Sequence, residues 1–442
     1  MAEGPPRQTL AGWGRQRRPG TELLSPDLQA ATRGARLTRG LGRSYGDASL
    51  PARPDDRVVN CRLADRILGF DPATGVLRAQ AGLSLAALLD RFLPQGWFPP
   101  VTPGTRFVTL GGMVAADVHG KNHHREGTIG AHLRALRLRL ASDEIVDCSP
   151  TVEPDLFWAT VGGMGLTGHI LEVELTLRRI PSPWIVMESE RVDDIDAFLA
   201  ALSRAAPAWP MTMGWIDCLR RGRRMGRGIL MAGRWARPEE APSRPPPGPR
   251  QLRLAVDLPD RALNPLTTRV FNTLYWRSHR PRTRRRRVAP EPFFYPLDRV
   301  GDWNRIYGRR GFTQYQAVIP AQAGPEAVRA FMQHLTDLGG ASPLCVIKDC
   351  GPQGQGLLSF PLQGTSVAVD MPLSGDTQRI VDELNAFVID VGGRIYLAKD
   401  SHTRAADFRR MEPRLDRFLE VRERYDPQRR IRSALSVRLF GG

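Results

Sequence analysis

Lysine is almost absent from this chain. Its 442 residues hold three lysines, Lys121, Lys348 and Lys399, against sixty arginines. Cysteine is scarce too. Cys61, Cys148, Cys218, Cys345 and Cys350 are odd in number, scattered and without a CxxC pair, which argues against a disulfide scaffold and a structural zinc site. No apolar run approaches the roughly 20 residues of a membrane-spanning helix. The opening MAEGPPRQTLAGWGRQRRPG lacks the apolar core of a secretory signal, so a reducing cytoplasm is the expected location. Two nucleotide motifs are missing as well. No GxGxxG joins a strand to a helix in a βαβ unit, and no GxxxxGK[ST] occurs, which disfavours a nicotinamide Rossmann site and a P-loop NTPase.

What is present is an ordered, basic chain. Hydrophobic residues make up 41% and charged residues 25%, and the net charge is +17. The length suits two packed domains. The positive excess fits a nucleic acid, an anionic membrane surface, a phosphorylated substrate, or a plain preference for arginine. No recognisable nucleic-acid module accompanies it, so no nucleic-acid partner is expected. A chain this averse to lysine keeps it where arginine cannot serve. Lysine offers a compact ammonium with a proton it can release.

The hydrophobic pattern divides the chain. Residues 1–25 read as an extended lead-in. Residues 68–97 read as strand, turn, strand and helix, and 133–150 as a hairpin turning at Ser142-Asp143. VDDIDAFLAALSRA reads as a helix, followed by two strands around an arginine-rich turn. ARPEEAPSRPPPGPRQ (236–251) is a surface loop. The basic run 276–287 is a solvated loop or a clamp over a phosphorylated lipid. Strands in 311–373 alternate with helices at 324–338 and 376–390, and helical segments close the chain. Strands with few helices, then a sheet with crossing helices, predict an α+β protein of two domains rather than a doubly wound parallel sheet.

Three glycine-rich segments lie in the first 170 residues: Arg39 to Gly46, Thr102 to Gly112 and Val161 to Gly168. Glycine lets backbone approach a ligand, and successive N–H groups can then face a pyrophosphate. GLGRSYGD (40–47), TPGTR (102–106), GGMVAADVHGKNHH (111–124), FWATVGGMGLTG (157–168), PLDRVGDWNRIYG (296–308), GFTQYQAVIP (311–320) and YLAKDS (396–401) together resemble the vanillyl-alcohol-oxidase flavoprotein superfamily. Within it they resemble the enzymes that oxidise the ribose 2′-hydroxyl of a polyprenylphosphoryl-ribose.

The resemblance implies an FAD-binding domain of the PCMH type over 1–181, an antiparallel-sheet substrate domain over 182–393 and a return to the first domain over 394–442. It implies that Arg39, Gly40, Leu41, Gly42, Arg43, Ser44, Tyr45, Gly46 and Asp47, with Gly104, Thr109, Leu110, Gly111 and Gly112, wrap FAD. Ala116, Asp117, Val118 and His119 would run beside the flavin, Ile170 on the adenine side, and Tyr396 at the ring edge. The first glycine loop has no histidine, so FAD is expected to be non-covalent. Lys399 would stabilise charge on the flavin, Lys399 or Lys121 would take the substrate proton, and Lys348 would hold the phosphate. His119 shapes the sugar pocket or is a packed core residue. With His123 and His124 it has no carboxylate at ligand spacing, so no metal is expected. Gln314 and Gln316 fall on one strand face and Trp215 would wall the pocket, unless it is an ordinary core residue. Asp370 would buttress the structure. Ser366 and Ala368 stand where relatives carry Asn and Cys, which changes the pocket lining.

The implied reaction yields a 2′-keto sugar, the first half of an epimerisation to the arabinose donor of cell-wall arabinan. A separate short-chain NAD(P)H-dependent reductase would complete it. The lipid tail implies a peripheral position at the inner face of the plasma membrane, with the 276–287 run and Phe293-Phe294-Tyr295 as contacts. The competing reading is a soluble sugar-alcohol or aldonolactone oxidase of the same superfamily.

Overall fold

A computed structural model describes residues 8–248, 250–260, 262–280, 282–339 and 342–441. The first seven residues of the lead-in, Pro249 and Pro281 lie outside them. The two larger sheets pair antiparallel throughout, and a smaller four-stranded sheet is mixed. The fold is α+β.

The lead-in is not a loose arm. Gln8–Ala11 and Arg17–Leu24 pair with each other and then with Arg57–Asn60, which Leu37–Arg39 flanks, in a four-stranded sheet. The sequence hid these strands because arginine and proline interrupt their alternation. A second, five-stranded sheet runs Ile67–Asp71, Val76–Gln80, His169–Thr176, Leu133–Arg139 and Ile145–Cys148. It contains the predicted hairpin, with Asp143 in the left-handed region at φ 72°. The helix Leu85–Phe92 buries Leu85, Leu88, Leu89 and Phe92, and the Ser84 hydroxyl accepts from the Ala87 N–H at 3.1 Å.

The third sheet has eight strands in the order Thr283–Val288, Ile185–Val192, Gly228–Trp235, Met211–Ile216, Cys345–Cys350, Gly364–Pro372, Phe312–Pro320 and Arg394–Ile395. Helices Ile195–Ala208, Gly324–Leu338 and Thr377–Asp390 pack on it through Phe198, Phe331, Leu335 and Leu384. The short strand Arg394–Ile395 joins this sheet through Ala317 and Val318. Beyond it, the helix Leu415–Tyr425 lies against Pro154–Thr160. A continuous apolar cluster runs from Ala159 and Leu166 through Val318 and Ile395 to Phe418.

Two expectations change here. The basic run is an edge strand, with Arg284 to Arg287 registered against Val186 to Ser189 and exposed. Charge on an edge blocks further strand addition. Phe293, Phe294 and Tyr295 are buried at 4%, 5% and 1% exposure, because Phe294 stacks on Phe98 and the Tyr295 hydroxyl meets the Thr102 hydroxyl. This triplet is core and not a membrane contact.

Candidate active site

The loop Arg39 to Asp47 is clamped from both chain ends. The Trp13 N–H donates to the Ser44 carbonyl at 2.8 Å, and the Tyr45 N–H donates to the Ala398 carbonyl at 3.0 Å. Arg438 holds the Asp47 carboxylate with two bonds of 2.8 and 2.9 Å and pairs with Asp400 at 2.8 Å. A Cβ on Gly46 would collide with the Asp400 carbonyl, so the close approach requires glycine there. The Arg43 guanidinium stacks on Trp13 at 3.9 Å.

This loop forms one wall of a cavity of about 340 Å³. Of the sequence-selected residues, Arg39, Gly40, Leu41, Gly42, Arg43, Ser44, Tyr45, Gly104, Thr109, Gly111, Gly112, Ala116, Val118, His119, Ile170 and Tyr396 line it. So do Lys121, Gln314, Gln316, Lys348, Ser366 and Lys399. Gly46, Asp47, Leu110, Asp117 and Trp215 do not. Leu110 is core. The Asp117 carboxylate turns away, accepting from the Gly130 N–H at 2.9 Å and from the Ser359 hydroxyl. Trp215 donates its indole N–H to the Pro343 carbonyl at 2.8 Å and meets Tyr275 edge-on at 4.8 Å. Met213, two residues earlier on the same strand face, lines the cavity instead.

The opposite wall is the face of the eight-stranded sheet. Register places Gln316 opposite Ala368, Ala368 opposite Val346, and Ser366 opposite Lys348, and all of these line the cavity. Gln314 donates to Asp370, which also accepts from Tyr307 at 3.0 Å. Gln316 donates to the His119 Nε2 at 3.1 Å and to Ser366 at 3.3 Å. The His119 ring packs between Phe360 and Tyr396, at 5.3 and 5.0 Å. His123 accepts from the Gly351 N–H at 2.9 Å, whereas His124 faces Asp349 at 3.2 Å.

All three lysines of the chain meet in this cavity. Lys121 Nζ donates to the Phe294 carbonyl at 3.3 Å, and Lys399 Nζ lies 3.6 Å from the Tyr45 ring centroid. The ion pairs of the described residues are made by arginine, as in Arg227–Asp217, beside histidine–carboxylate contacts such as His124–Asp349; none is made by a lysine. Burial, with the repulsion of Lys348, pushes Lys121 down to about 7. Burial likewise brings Lys399 down to about 7, against the opposing pull of Asp370. It lowers Lys348 too. The His119 ring is held well below its usual range by burial, then by Lys348, His123 and Lys399, and is neutral.

A family model described as an FAD binding domain matches residues 28–149. The decaprenylphosphoryl-beta-D-ribose oxidase of Mycolicibacterium smegmatis is 35% identical over 97% of both chains. The chain belongs to this oxidase family. An uncharacterized protein of Streptomyces coelicolor is 34% identical over 81% of this chain and all of its own length. A putative D-arabinono-1,4-lactone oxidase of Neurospora crassa matches at 29% over 33% of this chain and 25% of its own.

The flavoenzyme is thus an FAD-dependent oxidoreductase, and its cavity fits the cofactor on independent grounds. The N–H groups of Leu41, Gly42, Arg43 and Ser44 have no acceptor among the described residues. Arg39 Nε, Arg43 Nε, Ser49 Oγ and His119 Nδ1, all on lining residues, are buried and unpartnered. A Cβ on Gly104 or Gly165 would enter open space. Such a cradle of free donors suits a diphosphate and a polar ring. The short helix Leu110–Ala115 contributes less than its glycines promised. The N–H groups of Leu110, Gly111 and Gly112 already donate to Leu83, Ala81 and the Thr109 hydroxyl.

Sequence reasoning missed Trp13, Met213, Asp298, Trp303 and Val346, which also line the cavity. Trp303 and Asp298 lie in PLDRVGDWNRIYG, so that motif carried a signal. Trp13 had none, because its strands were unrecognised.

Proposed function

We propose that this flavoenzyme oxidises the ribose 2′-hydroxyl of a polyprenylphosphoryl-β-D-ribose to the 2′-keto sugar. A short-chain NAD(P)H-dependent reductase then completes the epimerisation, and the work is done at an anionic membrane surface. The observation that carries the reading is the convergence of three buried ammonium groups without an ion-pair partner. Buried cations without counter-charge are costly unless a ligand supplies it, and a phosphorylated substrate does.

Residues 1–181 and 394–442 hold the flavin, and 182–393 present the substrate. FAD, when bound, supplies the hydride acceptor. Lys348 binds the phosphate as a point charge. Lys121 or Lys399 takes the hydroxyl proton, since a lysine brought down to about 7 is partly neutral at physiological pH. The other remains cationic and offsets negative charge as hydride leaves. His119, being neutral, has an Nδ1–H free to donate to a bound ligand while Nε2 accepts from Gln316. Gln316 and Ser366 fix that ring and bound sugar hydroxyls.

The test is an anaerobic visible spectrum of the FAD-loaded protein before and after a short-chain polyprenylphosphoryl-ribose. Bleaching of the flavin band is expected. A band that persists with this compound yet bleaches with a sugar alcohol or an aldonolactone overturns the reading in favour of a soluble oxidase.

A further inference from the structure

The helix Pro265–Ser278 is turned the opposite way from an ordinary surface helix, which hides its apolar face. Its buried line is Thr268, Asn272 and Trp276, spaced by four. Asn272 donates to Asp217 at 2.8 Å, Trp276 donates its indole N–H to the Val192 carbonyl at 3.0 Å, and Thr273 accepts from Arg227 at 2.8 Å. Polar contacts therefore fasten the inner face. The outer face carries Leu266, Val270, Phe271 and Leu274 at 71%, 53%, 51% and 62% exposure. Three of them repeat every four residues and form one stripe.

The surroundings of this stripe are basic. Residues 261–288 contain nine arginines and no aspartate or glutamate. Arg269 and Arg277 are exposed on the helix itself, and Arg284 to Arg287 on the edge strand Thr283–Val288. Arg286 is an electrostatic neighbour of Tyr275, so the charged strand and the helix adjoin. Arg282 has a partner in Asp193 at 3.7 Å, and Glu188 stands opposite Arg285 across the strands. The remaining excess is strongly positive.

The place of the helix matters as well. Tyr275 packs edge-on against Trp215. Trp215 shares a strand face with Met213 and stands opposite Val346, both of which line the cavity. The helix is thus the layer next to the cavity wall.

We propose that Pro265–Ser278 is a membrane-docking helix for an anionic bilayer. Leu266, Val270, Phe271 and Leu274 enter the boundary between headgroups and acyl chains, and the flanking arginines bind lipid phosphates. An apolar stripe flanked by Arg269 and Arg277 on the helix and by Arg284 and Arg286 on the adjoining strand matches that occupant in both respects. The inference rests on the reading that the substrate carries a polyprenyl tail, because docking here lets the tail stay in the bilayer while the sugar reaches the cavity.

The experiment is co-sedimentation of the full-length, FAD-loaded protein with vesicles of phosphatidylglycerol and phosphatidylcholine, or of phosphatidylcholine alone. The double variant Val270→Glu/Leu274→Glu and the variant Arg284→Ser/Arg286→Ser are run in parallel. Neither touches the cavity, so anaerobic flavin bleaching by a short-chain, water-soluble substrate should be unchanged in both. Binding is expected with the anionic vesicles only. It should fall roughly tenfold or more in the first variant, which loses two aliphatic side chains that the bilayer would bury, and become weaker and less salt-dependent in the second. Three results overturn the proposal: wild-type protein staying in the supernatant with anionic vesicles, the glutamate variant pelleting like wild type, or a wild-type dimer abolished by that variant without any vesicle binding. Vesicle binding without bleaching by the short-chain substrate supports the docking helix while sinking the substrate reading, so the two failures are distinct.

Discussion

Lys399 Nζ sits 3.6 Å from the ring centroid of Tyr45, and Tyr45 belongs to the first glycine loop. A buried cation over an aromatic face gains electrostatic attraction without a counter-ion. The arrangement keeps the ammonium beside the glycine-loop wall, within the field of Asp370. Lys399→Met should slow anaerobic flavin bleaching by about a hundredfold or more, with FAD still bound. Stopped-flow reduction checks this. Near-wild-type rates would remove Lys399 from the chemistry.

The pH profile should identify the base. With either lysine brought down to about 7, the neutral amine forms as pH rises through that value. kcat/KM should therefore rise with pH through about 7 and fall away below it. Arginine keeps the charge but cannot give up its proton. Of Lys121→Arg and Lys399→Arg, the one that flattens the rising limb marks the base.

The same burial has a cost in stability. Lys121 is lowered in the folded state to about 7 and is ordinary, about 10.4, when unfolded. Between those values the unfolded chain binds more protons, so stability rises with pH across that window. The penalty is whole below about 7 and gone above about 10. Apo-protein carrying Lys121→Met should melt higher than wild type at pH 6, and the gap should close by pH 10. Differential scanning calorimetry of the two apo-proteins is the measurement.

The clamp of Arg438 on Asp47 and Asp400 ties the glycine loop to the chain's C-terminal segment. Removing one partner strands buried carboxylates, a loss of about 3 kcal/mol or more. Arg438→Met should release FAD during gel filtration, seen as a lower ratio of flavin to protein absorbance. Full retention would mean that the clamp does not hold the loop in its binding shape.

The cavity-lining segment of the first glycine loop offers Arg43, Ser44 and Tyr45 and no histidine. Acid precipitation should therefore leave the yellow colour in the supernatant. Colour in the pellet would require a covalent bond elsewhere on the cavity wall.

Much of this is legible in the amino-acid sequence. Periodicity locates the helices Leu85–Phe92, Ile195–Ala208, Gly324–Leu338 and Thr377–Asp390, because each repeats apolar residues on one side. Gln314 and Gln316 share a face because strand side chains alternate. The rarity of lysine points to three positions that the fold brings into one cavity.

By itself the sequence determined the amphipathic helices, the 133–150 hairpin, the glycine loops and which side chains share a face, since these depend on neighbours a few residues away. Only the tertiary structure decided what covers each face. It sealed Trp215 behind Tyr275, buried Phe293 to Tyr295 against Phe98, turned Asp117 toward Ser359 and drew Trp13 onto Arg43. It also left the apolar side of Pro265–Ser278 outward, because Asn272, Thr273 and Trp276 found hydrogen-bond partners on Asp217, Arg227 and Val192. Those partners are distant in sequence, and buried polar groups must be satisfied wherever the chain brings a partner to them.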